Sequence, residues 1–79
     1  MPTILRVHGY RFFFFSNEGD VPPHIHVESA DNYAKFWLNP VTLAKSVGFN
    51  ARQLGNLREI IEKHRNLFKE RWDEYFGSY

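Results

Sequence analysis

The chain has 79 residues, 43% of them hydrophobic and 24% charged, which is typical of a folded domain and excludes a disordered segment. Ten lysines and arginines against nine aspartates and glutamates give a formal charge of +1. This value excludes a chain-wide field that attracts nucleic acid or anionic membranes, so such a contact needs a local patch. Without cysteine, disulfides, thiolate metal sites and thiol catalysis are excluded, and a reducing cytoplasm fits the composition.

The length suits a single domain over residues 1–79, because a second hydrophobic core would not fit. The "RFFFF" run is too short to span a membrane, and the N-terminal residues carry charges where a signal peptide needs an apolar stretch. We therefore expect one cytoplasmic domain with no targeting segment and no membrane contact.

The first two predicted strands lie at about 3–7 and 10–15, in the β-branched and aromatic runs on either side of His8 and Gly9. The predicted cross-strand pairs are Val7 with Tyr10, Leu5 with Phe12, and Thr3 with Phe14. This register collects Leu5, Val7, Phe12 and Phe14 on a core face. The alternate rings of Phe13 and Phe15 then need a different cover.

Two further strands are predicted at about 24–28 and 33–38, where polar and apolar residues alternate in "HIHVES" and "NYAKFWL". The turn-rich "SNEGDVPP", residues 16–23, is a loop because prolines cannot donate to a central ladder. Joining the two strands through residues 29–32 pairs Glu28 with Tyr33, His26 with Lys35, and His24 with Trp37. This register places all six side chains on one face of the sheet.

The remainder of the chain predicts a fifth strand at about 41–47 and a long helix at about 51–76. Asn50 and Gln53 have the spacing of a helix N-cap and its reciprocal partner, and apolar residues then recur every three or four positions. Because such a helix is longer than a small sheet, it either bends near 64–66 or packs its distal half on another chain, forming a homo-oligomer. The predicted fold is α+β, a small antiparallel sheet of four to five strands followed by this helix.

The histidines of "HIHV" have two chemical interpretations. His24 and His26 point to the same face with Cβ atoms about 7 Å apart, which suits a metal ion if Glu28 is a third ligand, with His8 or His64 from elsewhere. A complete ligand set is not visible in the sequence, so neither a metal nor another cofactor is predicted.

General acid/base chemistry is the second interpretation, because the Lys35 ammonium opposite His26 favours a neutral imidazole that can act as a base. A metal-independent ribonuclease would also need cations for the developing phosphorane charge, from Arg6, Arg11 or Lys35. The predicted catalytic residues are His24, His26 and Lys35. The predicted substrate-binding or partner-binding residues are Arg6, Arg11, Glu28, Tyr33, Trp37, Phe68, Trp72, Tyr75 and Phe76. The structural alternative is a histidine-bearing sheet face that the helix or a partner covers.

Five segments together resemble a small bacterial family, domain of unknown function 4160: "MPTILRVHGYRFFFFSNEG", "PPHIHV", "AKFWLNPV", "GFN" and "WDEYFG". The resemblance runs from Pro2 to Gly77, with Asn39 where Asp is commoner in the family. The family pattern marks Ser16, Asn17, His24, His26, Lys35, Trp37 and the segment from Trp72 to Phe76.

The resemblance implies a place in a two-gene module of toxin-antitoxin type. We expect the toxin-like member, acting on RNA or translation through its His and Lys residues and neutralised by a small cognate antitoxin-like protein. The alternative is a non-enzymatic protein-protein interaction module, or the neutralising partner itself. The high content of aromatic residues, which anchor interfaces, favours this alternative.

Overall fold

The structure is a computed structural model that describes residues 3–15 and 22–77. One antiparallel sheet contains five strands in chain order: β1 (Thr3–Val7), β2 (Tyr10–Phe13), β3 (His24–Ser29), β4 (Asn32–Leu38) and β5 (Val41–Val47). Two helices follow, α1 (Ala51–Lys63) and α2 (Arg65–Phe76). The predicted α+β fold and its order of elements are confirmed. Most of the predicted 16–23 loop lies outside the described residues.

The β1–β2 hairpin turns at His8 and Gly9, whose φ angles of 51° and 84° suit the two-residue turns that match the twist of a hairpin. The predicted pairing of Leu5 with Phe12 is confirmed, as is that of Val7 with Tyr10. The predicted pairing of Thr3 with Phe14 is wrong. Thr3 pairs with Phe13, because Ile4 is an extra residue in β1 that shifts the register, and β2 ends at Phe13.

The β3–β4 hairpin has the predicted register, with all three predicted pairs present. Its connection is shorter than the four residues predicted, because the ladder continues to Ser29 and Asn32 and leaves Ala30 and Asp31 as the turn. Ala30 adopts a φ of 53°, in the left-handed region that such turns require.

The fifth strand pairs with β4 and forms one edge of the sheet. Lys45 lies opposite Lys35, but Leu43 lies opposite Phe36, so Ala44 is an extra residue that forms a bulge. The chain leaves β5 through Gly48, whose φ is 89° and whose Cα faces the Asn32 side chain.

Asn50 caps α1 as predicted: its side chain accepts a hydrogen bond from the Gln53 backbone, and the Gln53 side chain accepts one from the Asn50 backbone. The helix breaks at His64, within the predicted 64–66 interval, where φ is −106° and ψ is 16°. Beyond the break, α2 packs on the sheet of its own chain through Phe68 and Trp72. The helical part of the described residues contains no stretch long and apolar enough to cross a membrane.

Both helices pack on the same face of the sheet and enclose the core there. The buried apolar side chains are Phe12, Phe14, Ile25, Val27, Ala34, Phe36, Leu38, Phe49, Leu57, Ile61, Phe68 and Trp72. Arg65 fixes the start of α2 to the β4–β5 turn, donating hydrogen bonds to the Leu38 carbonyl at 3.0 Å and to Asn39 Oδ1 at 2.9 Å. Because successive side chains of a strand point to opposite faces, the other side chains of each strand lie on the side of the sheet away from the helices.

Candidate functional site

The sheet face opposite the helices, here called the outer face, carries most of the residues that the sequence singled out. The strand registers arrange its side chains in three rows: Arg6, Arg11, Glu28, Tyr33 and Val47; Phe13, His26, Lys35 and Lys45; and His24, Trp37 and Thr42. Neighbouring rows are about 7 Å apart, because each row is two residues along the strands from the next.

His26 lies in an aromatic enclosure and is only 2% exposed. Its ring stacks on Phe13 at 5.4 Å and on Tyr33 at 5.8 Å between centroids, and Phe15 meets it at 4.4 Å. His26 Nδ1 and the Tyr33 hydroxyl share a hydrogen bond of 2.6 Å, whose donor depends on the imidazole tautomer. The imidazole therefore fixes rings from two neighbouring strands.

His24 is fully buried at the start of β3. Its Nδ1–H donates to the Pro22 carbonyl at 3.0 Å, since a carbonyl oxygen can only accept. The ring meets His26 at 4.9 Å, Trp37 at 5.6 Å and Trp72 of α2 at 5.0 Å between centroids. His24 thus connects the helix side of the molecule to the outer face.

The β4 side chains on the outer face remain partly accessible. Lys35 extends along the strand and places its Nζ 4.6 Å from the centre of the Trp37 ring, which is a cation–π contact. The predicted neighbourhood of His26 and Lys35 is present across the β3–β4 pair. The imidazole, however, is enclosed, whereas the ammonium lies at the surface over the indole.

Arg11 is the best anchored cation of the outer face. Its Nη1 donates to Glu28 Oε1 at 2.6 Å and its Nε donates to Thr3 Oγ1 at 2.7 Å. The guanidinium also lies over the Phe13 ring, with Cζ 4.5 Å from the ring centre. Glu28, a predicted third metal ligand, is therefore paired with an arginine.

At two places on the outer face, two cations lie directly opposite each other on neighbouring strands. Arg6 is opposite Arg11 in the β1–β2 ladder, and Lys35 is opposite Lys45 in the β4–β5 ladder. Like charges in directly opposed positions destabilise a sheet. The face carries four cations and the single carboxylate of Glu28 among its described residues, although the whole chain carries only +1. Arg11 is paired with Glu28, so the described residues of this face carry a local excess of positive charge.

A groove of about 350 Å³ adjoins the third row at the end of the sheet. Its lining residues are Pro22, Pro23, Trp37, Asn39, Pro40 and Thr42. The Thr42 hydroxyl donates to the Pro40 carbonyl at 3.0 Å, and this bond holds one wall of the groove in place.

The predicted site residues fall into two groups. His24, His26, Glu28, Tyr33, Lys35 and Trp37 lie together on the outer face, as do Arg6 and Arg11. Phe68 and Trp72 belong to the core, Phe76 packs against it, and Tyr75 is 44% exposed. In the part of the chain that the structure describes, no three metal-ligating side chains are close enough to hold one ion.

Lys45 and the groove residues other than Trp37 were not among the site residues predicted from the sequence. Lys45 lies on the outer face together with Thr42 because the extra residue Ala44 shifts the alternation of side chains in β5 by one position. Pro22 and Pro23 belong to the predicted loop, and their meeting with Pro40 in one groove depends on how separate turns are placed in space.

No curated protein and no solved structure matches this chain. Residues 9–73, in contrast, match a protein family described as Domain of unknown function (DUF4160). The matched range includes β2 to β5, α1, and α2 as far as Asp73, and it contains most of the outer face. The match covers well over half of the sequence, so the chain belongs to the DUF4160 family.

Proposed function

We propose that this protein is the toxin-like component of a bacterial two-gene toxin-antitoxin module, acting in the cytoplasm on RNA or translation through its outer face, and that a small partner protein neutralises it. The place in such a module follows the family resemblance. The observation that carries the RNA contact is the pair of cation–cation juxtapositions, Arg6 with Arg11 and Lys35 with Lys45, on a face with one carboxylate.

Polyanion binding gives these juxtapositions a physical reason. Glu28 already meets the charge of Arg11, so the pair of Lys35 and Lys45 is the clearer case. These two cations repel each other in the free sheet, and a phosphate between them turns the repulsion into attraction. The aromatic rings of Tyr33 and Trp37 come from positions on either side of Lys35 in β4, and a combination of rings and cations is how proteins hold nucleic acid without reading its sequence.

The buried histidines support binding more directly than cleavage. His24 and His26 are enclosed by aromatic rings, and their contacts fix the positions of Tyr33 and Trp37. A catalytic role would require the imidazoles to reach a bound phosphodiester, which the enclosed arrangement does not offer. We therefore assign RNA contact to Lys35 and its cationic neighbours, and a positioning role to the two imidazoles.

The test is growth of a bacterium after induction of this protein alone. We expect the parent chain to arrest growth and the double variant Lys35→Gln, Lys45→Gln to lose the arrest, since two phosphate contacts disappear. The matched control is Arg52→Gln with Lys63→Gln, which removes two cations from exposed positions of α1. Circular dichroism verifies that both variants fold.

The control variant should arrest growth as the parent does. Arrest by the outer-face variant at full strength contradicts the proposal. The RNA of arrested cells separates cleavage from binding: intact RNA with stalled translation agrees with a binding role, and discrete fragments return a catalytic role to His24 and His26.

A protein-protein interaction module is the second candidate, and a specific observation favours it. The edge strand β5 exposes Leu43 by 44% and Val47 by 52%, one on each side of the sheet. An exposed edge with apolar side chains can receive a strand from another protein. Harmless expression of the parent chain without any growth arrest would favour this candidate.

A further inference from the structure

We infer that the groove beside Trp37 holds an unpaired nucleobase, so that the outer face binds single-stranded RNA in preference to duplex RNA. This inference rests on the proposed RNA contact and names the form of RNA that the site accepts. It combines the shape and lining of the groove with the position of the lysines beside it.

The lining of the groove suits a flat aromatic ring. Trp37 supplies an indole, and Pro22, Pro23 and Pro40 supply rigid apolar walls. A base that stacks on an aromatic side chain gains affinity whatever its identity, because every base has a π-face. The volume of about 350 Å³ leaves room for one base and part of its ribose.

Polar groups at the rim can meet the edge of a base. The Thr42 oxygen keeps acceptor capacity while its proton is directed to the Pro40 carbonyl. Asn39 accepts from Arg65 through Oδ1 and is exposed, so its amide N–H groups can donate outward. The rim therefore offers both a donor and an acceptor.

Two lysines lie where they can contact the phosphates of the same RNA strand. Lys35 lies over the Trp37 ring with its Nζ at 4.6 Å, and Lys45 is directly opposite it on β5. A base in the groove brings its own backbone within about one row, or 7 Å, of these ammonium groups. This charge complementarity distinguishes the RNA strand from an uncharged proline-rich peptide, which a groove lined by Trp and Pro would otherwise also fit.

A duplex cannot use the groove, because its bases are paired and stacked inside the helix. Duplex RNA would meet only the cations, and it would lose the contribution of stacking. Because stacking of one base on an aromatic side chain adds measurably to affinity, the preference for a single strand should be roughly tenfold.

The experiment measures fluorescence anisotropy of labelled oligouridylate and of an RNA duplex of equal length at low salt. We expect the parent protein to bind oligouridylate roughly tenfold more tightly than the duplex, and Trp37→Ala to remove this difference. Thr42→Phe is the second variant: it fills the groove from an exposed strand position and keeps Trp37 in place. It should abolish the preference in a protein whose circular dichroism matches the parent.

Four outcomes overturn the inference and are distinguishable from one another. Equal affinity for the two RNAs, or a preference that survives both variants, sinks the groove assignment and leaves the proposed RNA contact standing. Binding of neither RNA removes the proposed function together with the inference. Trp37-dependent binding of a labelled polyproline peptide, measured in the same assay, in place of RNA assigns the groove to a protein partner.

Discussion

The two buried imidazoles of β3 differ in what holds them. His24 donates to the backbone carbonyl of Pro22, whereas His26 is bonded to the hydroxyl of Tyr33 on the next strand. The first bond ties the beginning of the strand to the proline corner, and the second joins two strands through their side chains. An unpaired buried polar group costs free energy, so both bonds matter for the stability of the sheet.

The hydrogen bond between His26 and Tyr33 can be tested by removing one hydroxyl. We expect Tyr33→Phe to lower the free energy of unfolding by about 1–2 kcal/mol, because the ring stack is kept while a buried imidazole nitrogen loses this partner. Urea denaturation provides the measurement. Tyr75→Phe is the matched control, since Tyr75 is 44% exposed and its ring contacts survive the change. Equal midpoints for the two variants would contradict the assigned bond.

At the scale of the elements, two turn glycines have the same backbone requirement and different surroundings. Gly9 and Gly48 have φ angles of 84° and 89°. A Cβ at Gly9 would enter open space, whereas a Cβ at Gly48 would collide with the side chain of Asn32. The β5–α1 connection is therefore packed against the β3–β4 turn, and the first hairpin turn is free of such packing within the described residues.

This difference predicts unequal effects of the same substitution. Gly9→Ala should cost about 1 kcal/mol, the strain of a left-handed conformation in an L residue. Gly48→Ala should cost about 2–4 kcal/mol, because the collision with Asn32 adds to that strain. Thermal unfolding of both variants tests the difference directly. Loss of the same free energy in both would show that Asn32 moves away without resistance.

Alternation of polar and apolar residues predicted the elements well where the strands were regular. It predicted the register of β3 with β4, and with it the neighbours Glu28 and Tyr33. It failed at Ile4, because an extra apolar residue in an edge strand leaves the local pattern acceptable on either face. For β5 it predicted a strand without a register, so the extra residue Ala44 was not predicted. Bulges of this kind are fixed by tertiary packing.

The shared face of the candidate residues was predicted, but the rings that enclose the two histidines were not. Period-two spacing placed His24 and His26 on the same face as Lys35. Their enclosure depends on rings from β2, the residues after it, and α2, which are distant in the sequence. The position of the helix break, in contrast, could be narrowed to three residues, because an unbroken helix would overrun the sheet.

On the scale of the whole molecule, the distribution of charge matters more than its sum. A formal charge of +1 conceals an outer face on which cations outnumber carboxylates by four to one among the described residues. The opposed cations reduce the stability of the free sheet, so stability and polyanion binding should respond in opposite directions to the same change of charge.

Lys45→Glu tests this opposition. The free energy of unfolding of the variant should rise by about 0.5 kcal/mol at low salt, because Lys35 gains an opposite charge across the strands. The midpoint of urea denaturation should therefore lie at a higher urea concentration. Its affinity for RNA should fall, and the gain in stability should disappear near 1 M salt, where screening acts within about 3 Å. Lys45→Gln should lie between the parent and Lys45→Glu in both properties. A variant that gains stability and RNA affinity together would refute the assignment of the outer face.

The bulge at Ala44 has a consequence for encounters between copies of this protein. An uninterrupted edge strand presents a regular row of backbone groups on which further strands can grow into a fibril. In β5 the extra residue disturbs the spacing of that row, and Lys45 places a charge beside the disturbance. A second β5 aligned with it would have to accommodate the same irregularity and the same charge. The edge therefore disfavours polymerisation of this protein through β5. A strand of another protein with a different sequence can still pair with it.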